Sequence, residues 1–157
     1  MMVWRAWTGG WGRFFSVLAV RGGLVADLHV VFQVIGVLQE CLPDCTVSDS
    51  LPEGKLLTES LPVVQVDLLA GEEKHTGFGG EGFPLVIDGI GLDVEVFATS
   101  RLQGMEVGER VRRVLHQLPH LEECPVTAVS VPDFSTREDL NPQVRVVGTV
   151  VDLDTRP

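Results

Sequence analysis

Residues 85–118, LVIDGIGLDVEVFATSRLQGMEVGERVRRVLHQL, contain a strand pattern that passes directly into an amphipathic helix pattern. Leu92, Val94 and Val96 alternate with residues of the opposite face, and this period of two is typical of a half-buried strand. Apolar residues then recur at helical spacing, with charged residues on the other side. These apolar residues are Val107, Val111, Val114, Leu115 and Leu118. The stretch therefore predicts a strand or hairpin over 85–100 and a helix after it. Nothing in it has the pattern of a reaction centre, so it is expected to be a structural unit that presents surfaces for assembly.

The segments on either side complete an α+β pattern. A helix is predicted from Asp27, as N-cap, to about Leu42, because Pro43 and Asp44 end it. Further strands are predicted at 62–70, 125–131 and 143–154, and residues 43–61 are predicted to be an acidic, turn-rich loop. The predicted order is α-β-β-α-β-β, with two main helices packed on one side of a mostly antiparallel or mixed sheet.

Length and charge limit the class of protein. A chain of 157 residues is expected to form one main domain, here over 25–157. Its net charge of −10 argues against binding to the phosphate backbone of nucleic acid, because nonspecific affinity for nucleic acid comes from clusters of Lys and Arg. Three cysteines without framework spacing predict reduced thiols in a cytosolic setting. The apolar run at 14–20 is too short to span a membrane, so no membrane association is expected.

Residues 1–24 differ in composition from the rest of the chain. They contain all three Trp residues and three Arg residues but no acid, so nine basic and 22 acidic residues leave −13 for residues 25–157. A secretory signal is disfavoured because no small-residue cleavage site follows the apolar run. Two interpretations stay open: an arm that is disordered or folds on a partner with the tryptophans as anchors, and a natural start of the protein near Val25.

The first predicted helix is apolar around most of its circumference. Only a narrow stripe is polar, formed by His29, Gln33, Gly36 and Glu40. A helix of this kind is either central in a large core or packed on both its own fold and a neighbour. Because a domain of this size has limited room to bury such a helix, the pattern favours a subunit contact. The expected contact residues are Val31, Phe32, Ile35 and Leu38.

Residues 71–84, GEEKHTGFGGEGFP, contain five glycines and show no periodicity. Long connections without secondary structure are usually functional or disordered. The segment is therefore predicted to be a long excursion between two strands that orders when it meets a partner. The expected docking residues are Glu72, Glu73, Phe78, Glu81 and Phe83.

Three groups of residues have types that could suggest chemistry, and each is better explained without it. The spacing of Cys41, Cys45, His116, His120 and Cys124 does not match a zinc site, since Pro43 and Pro119 interrupt it. The glycines of 77–82 are followed by no Gly-Lys-Ser/Thr, as a phosphate-binding loop requires.

A trio of carboxylates, Asp88, Asp93 and Glu95, could serve acid–base chemistry or bind Mg²⁺. Asp93 and Glu95 lie on one strand face, which is more simply its solvated side. No catalytic residue, cofactor or metal is expected, and the protein is expected not to be an enzyme.

Over residues 25–156 the order of moderate motifs resembles the tail terminator proteins of long-tailed, noncontractile phages. The motifs are the helix ending in Leu42-Pro43, the strand LPVVQVDLLAGEE at 61–73, the Gly- and Phe-rich loop into Pro84, LDVEVFATSR at 92–101, ERVRRVL at 109–115 and RVVGTVVDLDTR at 145–156. Residues 1–24 depart from this pattern, which usually opens near the first helix.

This resemblance implies a structural subunit of the virion, assembled in the host cytoplasm. Six copies would form a ring on the head-proximal end of the tail tube, stop tube polymerisation and provide the joint to the head connector. The implied partners are further copies of the chain, the tail-tube protein and the connector, and DNA would pass through the ring without specific binding. Two alternatives remain: another neck, connector or tube subunit, or a small metal-dependent nucleic-acid enzyme that uses Asp88, Asp93 and Glu95.

Overall fold

The computed structural model describes residues 24–70, 72–78 and 84–155, with side chains over 27–70 and 88–155. Three helices, α1 (Leu24–Cys41), α2 (Lys55–Ser60) and α3 (Arg101–Leu115), and a 3₁₀ turn (Leu118–His120) accompany seven strands. The strands are β1 (Thr46–Ser48), β2 (Val63–Leu68), β3 (Glu72–Phe78), β4 (Pro84–Ala98), β5 (Val126–Ser130), β6 (Ser135–Thr136) and β7 (Arg145–Thr155). The predicted N-terminal extension lies outside the described residues, except for Leu24, where α1 begins.

One sheet contains all seven strands and is organised around the two longest, β4 and β7. The strand order is β1-β2-β4-β7-β5, with β3 also paired to β4 and β6 also paired to β7. Only β1 and β2 are parallel; every other described pair is antiparallel. This confirms the α+β prediction with a mixed, mostly antiparallel sheet.

The pairing register separates the two faces of the sheet. Residues that pair across neighbouring strands form a row on one face of the sheet. One such row contains Val64, Val96 and Val147, and the next row on the same face contains Val66 and Val94. The main core lies on this face, where α1 and α3 contact the sheet and each other. We call it the helix face. The predicted packing of two main helices on one side is therefore observed.

The opposite face, which we call the open face, has a small apolar cluster at one end. Val63, Phe97 and Val146 form one row there, and Leu57 of α2 packs against them. The following rows are polar, with Gln65, Glu95 and Gly148 in one, and Asp67, Asp93 and Val150 in the next. No main helix of the described residues covers these rows, and the side chains of Gln65, Asp67, Asp93 and Glu95 are partly buried.

The packing of α3 depends on its N-cap and on two glycines. The Ser100 side chain accepts a hydrogen bond from the Gln103 backbone N–H at 3.1 Å, which satisfies a donor that the helix leaves unpaired. Gly104 and Gly108 are buried against the sheet side. A Cβ on Gly108 would lie 2.7 Å from Cγ of Phe134, so only glycine allows this ring to pack beneath the helix.

Three local predictions are wrong. The structure begins α1 at Leu24, so Asp27 lies in its first turn and is not the N-cap. Residues 43–61 contain β1 and α2 in addition to turns, and residues 72–78 form a strand rather than an excursion without structure. Like β6, which was also not predicted, these three elements are short or polar and carry no apolar periodicity; β1 and β3 are defined by their pairing with β2 and β4.

Candidate functional site

The predicted subunit contact on α1 divides into buried and exposed parts. Val31, Ile35 and Leu38 are buried in the core of the chain itself, between the helix and the sheet. The interface assignment of these three is therefore corrected, since contact with another subunit would require opening that core. Phe32, in contrast, is 53% exposed.

Phe32 belongs to an apolar ridge on the outer side of α1. Leu28, one turn earlier, is 39% exposed, and Gly36, one turn later, is also exposed. A Cβ built on Gly36 would meet no atom within 4 Å. We call Leu28, Phe32 and Gly36 the outer ridge of α1. An exposed aromatic side chain on such a ridge is a typical anchor for a protein contact.

Three of the five predicted docking residues lie on a hairpin formed by β3 and the first part of β4. Glu72 pairs with Gly89, and Phe78 pairs with Pro84. Glu72, Glu73 and Phe78 are thus strand residues, whereas Glu81 and Phe83 lie outside the described residues. Among the described residues, β7 pairs with β4 from Ala98 back to Asp88. Residues 84–87 of β4 therefore extend beyond β7 and pair with β3. Two-stranded ribbons are only marginally stable alone, which suits a segment that meets a partner.

Near the base of this hairpin, the segment that connects β2 to β3 is out of step with β4. Leu68 of β2 pairs with Leu92, and Glu72 of β3 pairs with Gly89. Between these two pairs the segment that connects β2 to β3 has one residue more than β4, as in a β-bulge. The Leu69 backbone N–H donates to the Gly91 carbonyl at 2.8 Å, and a Cβ on Gly91 would lie 3.2 Å from Cβ of Leu69. The absence of a side chain at Gly91 therefore allows Leu69 to lie across β4.

A shallow depression of about 340 Å³ opens at this position, and the register places Gly91, Val150 and Asp152 of its lining on the open face. Its walls include Leu69 and Val150, which are 38% and 42% exposed, with Asp152 at the rim. We call this depression the glycine notch.

The centre of the open face is occupied by an ion-pair cluster that the sequence did not reveal. Arg137 Nη1 donates to Asp93 Oδ2 at 2.9 Å and to Glu95 Oε1 at 2.8 Å, and Nη2 donates to Asp93 Oδ1 at 2.6 Å. We call this the Arg137 clamp. The two carboxylates raise the pKa of Arg137 despite the opposing effect of partial burial. The clamp joins Arg137 to two residues of β4 that lie 44 and 42 positions earlier in the sequence, so no local pattern could indicate it.

The structure does not bring together the three carboxylates that a metal-dependent enzyme would use, Asp88, Asp93 and Glu95. Asp93 and Glu95 are held by Arg137 on the open face, whereas the register places Asp88 on the helix face opposite Thr155. Asp27 lies near Asp88, and the pKa of Asp27 is raised by partial burial and by that neighbouring charge. Within the described side chains no group of three His, Cys, Asp or Glu is placed to hold a metal ion.

The cysteines considered for zinc are all partly buried and unpaired by disulfides. Burial raises the pKa of Cys41, Cys45 and Cys124, and therefore favours the neutral thiol. Among the helices of the described part of the chain, none is long and apolar enough to cross a membrane.

No protein-family model matches the chain, and a comparison with curated proteins finds no match either.

Proposed function

We propose that the protein is a structural subunit of a phage tail, which forms a ring on the head-proximal end of the tail tube, ends tube growth and provides the joint to the head connector. The observation that carries this proposal is the exposure of Phe32 on the outer ridge of α1. The resemblance of the motif order over residues 25–156 to tail terminators supplies the biological setting.

The outer ridge suits a heterologous contact. The ridge is formed by one helix face, and a copy of the chain rotated about a ring axis would present a different surface to it. Repetition of that contact closes a ring when the rotation divides a full turn, and a closed ring leaves no unpaired copy of this contact. Growth within the ring then stops by symmetry.

The hairpin of β3 and β4 supplies a second surface for the partner along the tube axis. It extends beyond β7 and contains Glu72, Glu73 and Phe78. In this proposal the hairpin contacts the tube or the connector, while the outer ridge contacts the neighbouring copy. The net charge of −10 disfavours adhesion of DNA that passes through such a ring.

Oligomeric state tests the proposal directly. Native mass spectrometry and negative-stain microscopy of the full chain over a concentration series should show closed rings. Phe32→Ser should lose the rings while keeping the circular dichroism spectrum of the folded protein. Leu102→Ser is the matched control, because Leu102 is 71% exposed on α3 and lies outside the ridge. Rings in the Phe32→Ser variant would reject this interface, and open filaments of the unaltered chain would instead indicate a tube subunit.

The hairpin is tested separately by Glu72→Lys combined with Glu73→Lys, which reverses the charge of two predicted docking residues on β3. Rings of this variant should form but should not bind purified tail tubes in a sedimentation assay. Binding at the level of the unaltered protein would assign docking to another surface. Loss of rings as well would show that the hairpin belongs to the subunit contact.

A further inference from the structure

We propose that Phe32 of one copy of the chain inserts into a depression between the 3₁₀ turn and β5 of a second copy. This depression, which we call the β5 depression, has a volume of about 400 Å³ and is lined by residues 119–122 and 124–127. The inference rests on the ring of the proposed function and names the surface that receives the outer ridge. A heterologous contact needs such a second surface, because each copy uses a different face toward each neighbour.

The outer ridge lies at the β1 edge of the molecule. α1 contacts β1 and β2, whereas α3 contacts β4 and β7. Gln39 Nε2 of α1 donates to the Val47 carbonyl of β1 at 2.9 Å. Gln39 follows Phe32 by seven residues, which places both side chains on the same side of a helix. Phe32 therefore lies on the flank of α1 that faces β1, away from α3.

The β5 depression lies at the opposite edge of the molecule. β5 is the last strand in the order β1-β2-β4-β7-β5, and the 3₁₀ turn contacts it. Four strand spacings of about 4.8 Å each separate β1 from β5. Two copies placed side by side thus bring the β1 edge of one to the β5 edge of the other, as a contact repeated around a ring requires.

The two surfaces lie toward the same end of the sheet. Val126, at the start of β5, pairs with Thr155, which in turn pairs with Asp88. Asp27 in the first turn of α1 lies near Asp88, and Phe32 follows Asp27 by five residues, about 7.5 Å along a helix. The contact therefore needs little displacement along the strands. A small displacement favours closure, because a rise with each added copy produces an open helical filament.

The shape and apolar character of the two surfaces match. Phe32 is 53% exposed and projects from a single helix. Four apolar residues of the β5 depression are only partly buried: Pro119, Leu121, Cys124 and Pro125. They offer apolar surface to an aromatic ring, and a ring that fills such a depression is a typical anchor of an interface.

The distribution of charge also favours this pairing. Glu122 lines the depression and is exposed, as is the adjacent Glu123. Because the chain has a net charge of −10, acidic surfaces of two copies repel each other where they meet. Residues 28–39 of α1 contain no Asp or Glu and include His29. The outer ridge can therefore approach the acidic rim without repulsion between carboxylates.

Complementation between two defective variants tests this contact. Phe32→Ser removes the anchor and keeps the depression, whereas His120→Trp, at an exposed position of the lining, fills the depression and keeps Phe32. Each variant alone should be monomeric in native mass spectrometry of the full chain. An equimolar mixture should give a one-to-one heterodimer and nothing larger, because the intact ridge of one variant meets the intact depression of the other.

Matched variants control for the added tryptophan. His116 is exposed at the end of α3 and lies outside the lining, so His116→Trp should form the same rings as the unaltered chain. Glu122→Trp, at a second exposed position of the lining, should behave like His120→Trp. Circular dichroism of each variant identifies a failure to fold.

The outcomes separate this contact from the proposed function. Rings formed by both His120→Trp and Glu122→Trp would overturn the contact and leave the ring in place. A mixture that stays monomeric, although the unaltered chain forms rings, would do the same. An unaltered chain that forms no ring would reject the proposed function and this inference with it.

Discussion

The guanidinium of Arg137 crosses β7 directly above Gly148, and the absence of a side chain at Gly148 is what allows it to reach β4. A Cβ on Gly148 would lie 2.7 Å from Cζ of Arg137 and closer still to Nε. Ser135 of β6 pairs with Gly148, so Arg137 starts beside β7 and extends over it to Asp93 and Glu95. The clamp thereby ties the segment after α3 to the centre of the sheet.

Gly148→Ala should break the Arg137 clamp. The added methyl group would displace the guanidinium from carboxylates that hold it at 2.6–2.9 Å, and we expect a loss of about 1–2 kcal/mol in the free energy of unfolding. Urea denaturation measures this loss. In the Arg137→Ala background the same Gly148→Ala change should cost much less, because a side chain that ends at Cβ leaves the space above Gly148 free. Equal costs in both backgrounds would contradict a coupling between the two residues.

Gly108→Ala and Gly36→Ala should have opposite effects, although both place alanine in a helix. At Gly108 the Cβ meets the buried Phe134 ring at 2.7 Å, so we expect a destabilisation of about 1–3 kcal/mol. At Gly36 nothing lies within 4 Å, and alanine should stabilise by roughly 0.5–1 kcal/mol through its higher helix propensity. Thermal unfolding of the two variants provides the comparison. A Gly108→Ala protein as stable as the parent would show that Phe134 can move aside.

Acid should weaken the contact between Asp44 and Arg110, which joins the end of α1 to α3. Arg110 Nη1 and Nη2 donate to Asp44 at 2.8 and 2.6 Å, and chiefly this hydrogen bonding lowers the pKa of Asp44 from 3.8 to about 2. A carboxylate whose pKa is lower in the folded state than in the unfolded state stabilises the folded protein at pH values above the unfolded-state pKa. This contribution is lost as the pH falls through the folded-state pKa.

We therefore expect Asp44→Asn to lower the melting temperature at neutral pH, with the difference from the parent shrinking between pH 3.8 and about 2. Glu122→Gln, at an exposed carboxylate, serves as the control for a change in net charge. A difference that stays constant down to pH 2 would show that the Asp44 carboxylate does not titrate with the contact.

Magnesium or manganese should not raise the melting temperature, and neither ion should produce nuclease activity. Asp93 and Glu95 already bind Arg137, and Asp88 lies on the other face of the sheet. A cation would have to displace a guanidinium that makes three short hydrogen bonds. Digestion of DNA that requires the metal and is lost in Asp93→Asn would revive the enzyme alternative.

Much of the fold was predictable because burial follows a local period. Val64 and Val66 of β2, like Leu92 and Val94 of β4, alternate strictly, and α3 shows apolar residues at helical spacing. The α+β class and the placement of both main helices on one side followed from these patterns. The β3 strand was missed because its pairing with β4, rather than its composition, makes it a strand.

The candidate site was less predictable. The composition of α1 indicated an apolar helix but could not distinguish Phe32, which faces outward, from Val31 and Ile35, which are buried against the sheet. That distinction depends on where the sheet lies relative to the helix. The sequence likewise placed Asp93 and Glu95 on one face but gave no sign of their partner.

The sequence by itself determined the α+β class and the main strands and helices, because the apolar period of each element is set by residues within a few positions of one another. The tertiary structure alone decided which side of α1 is exposed, where the β3 hairpin leaves the sheet and what holds Asp93 and Glu95. These features depend on contacts between distant segments, such as the 44 positions from Asp93 to Arg137. Such contacts arise only when β4 and β7 pair and bring Gly148 beneath the arginine.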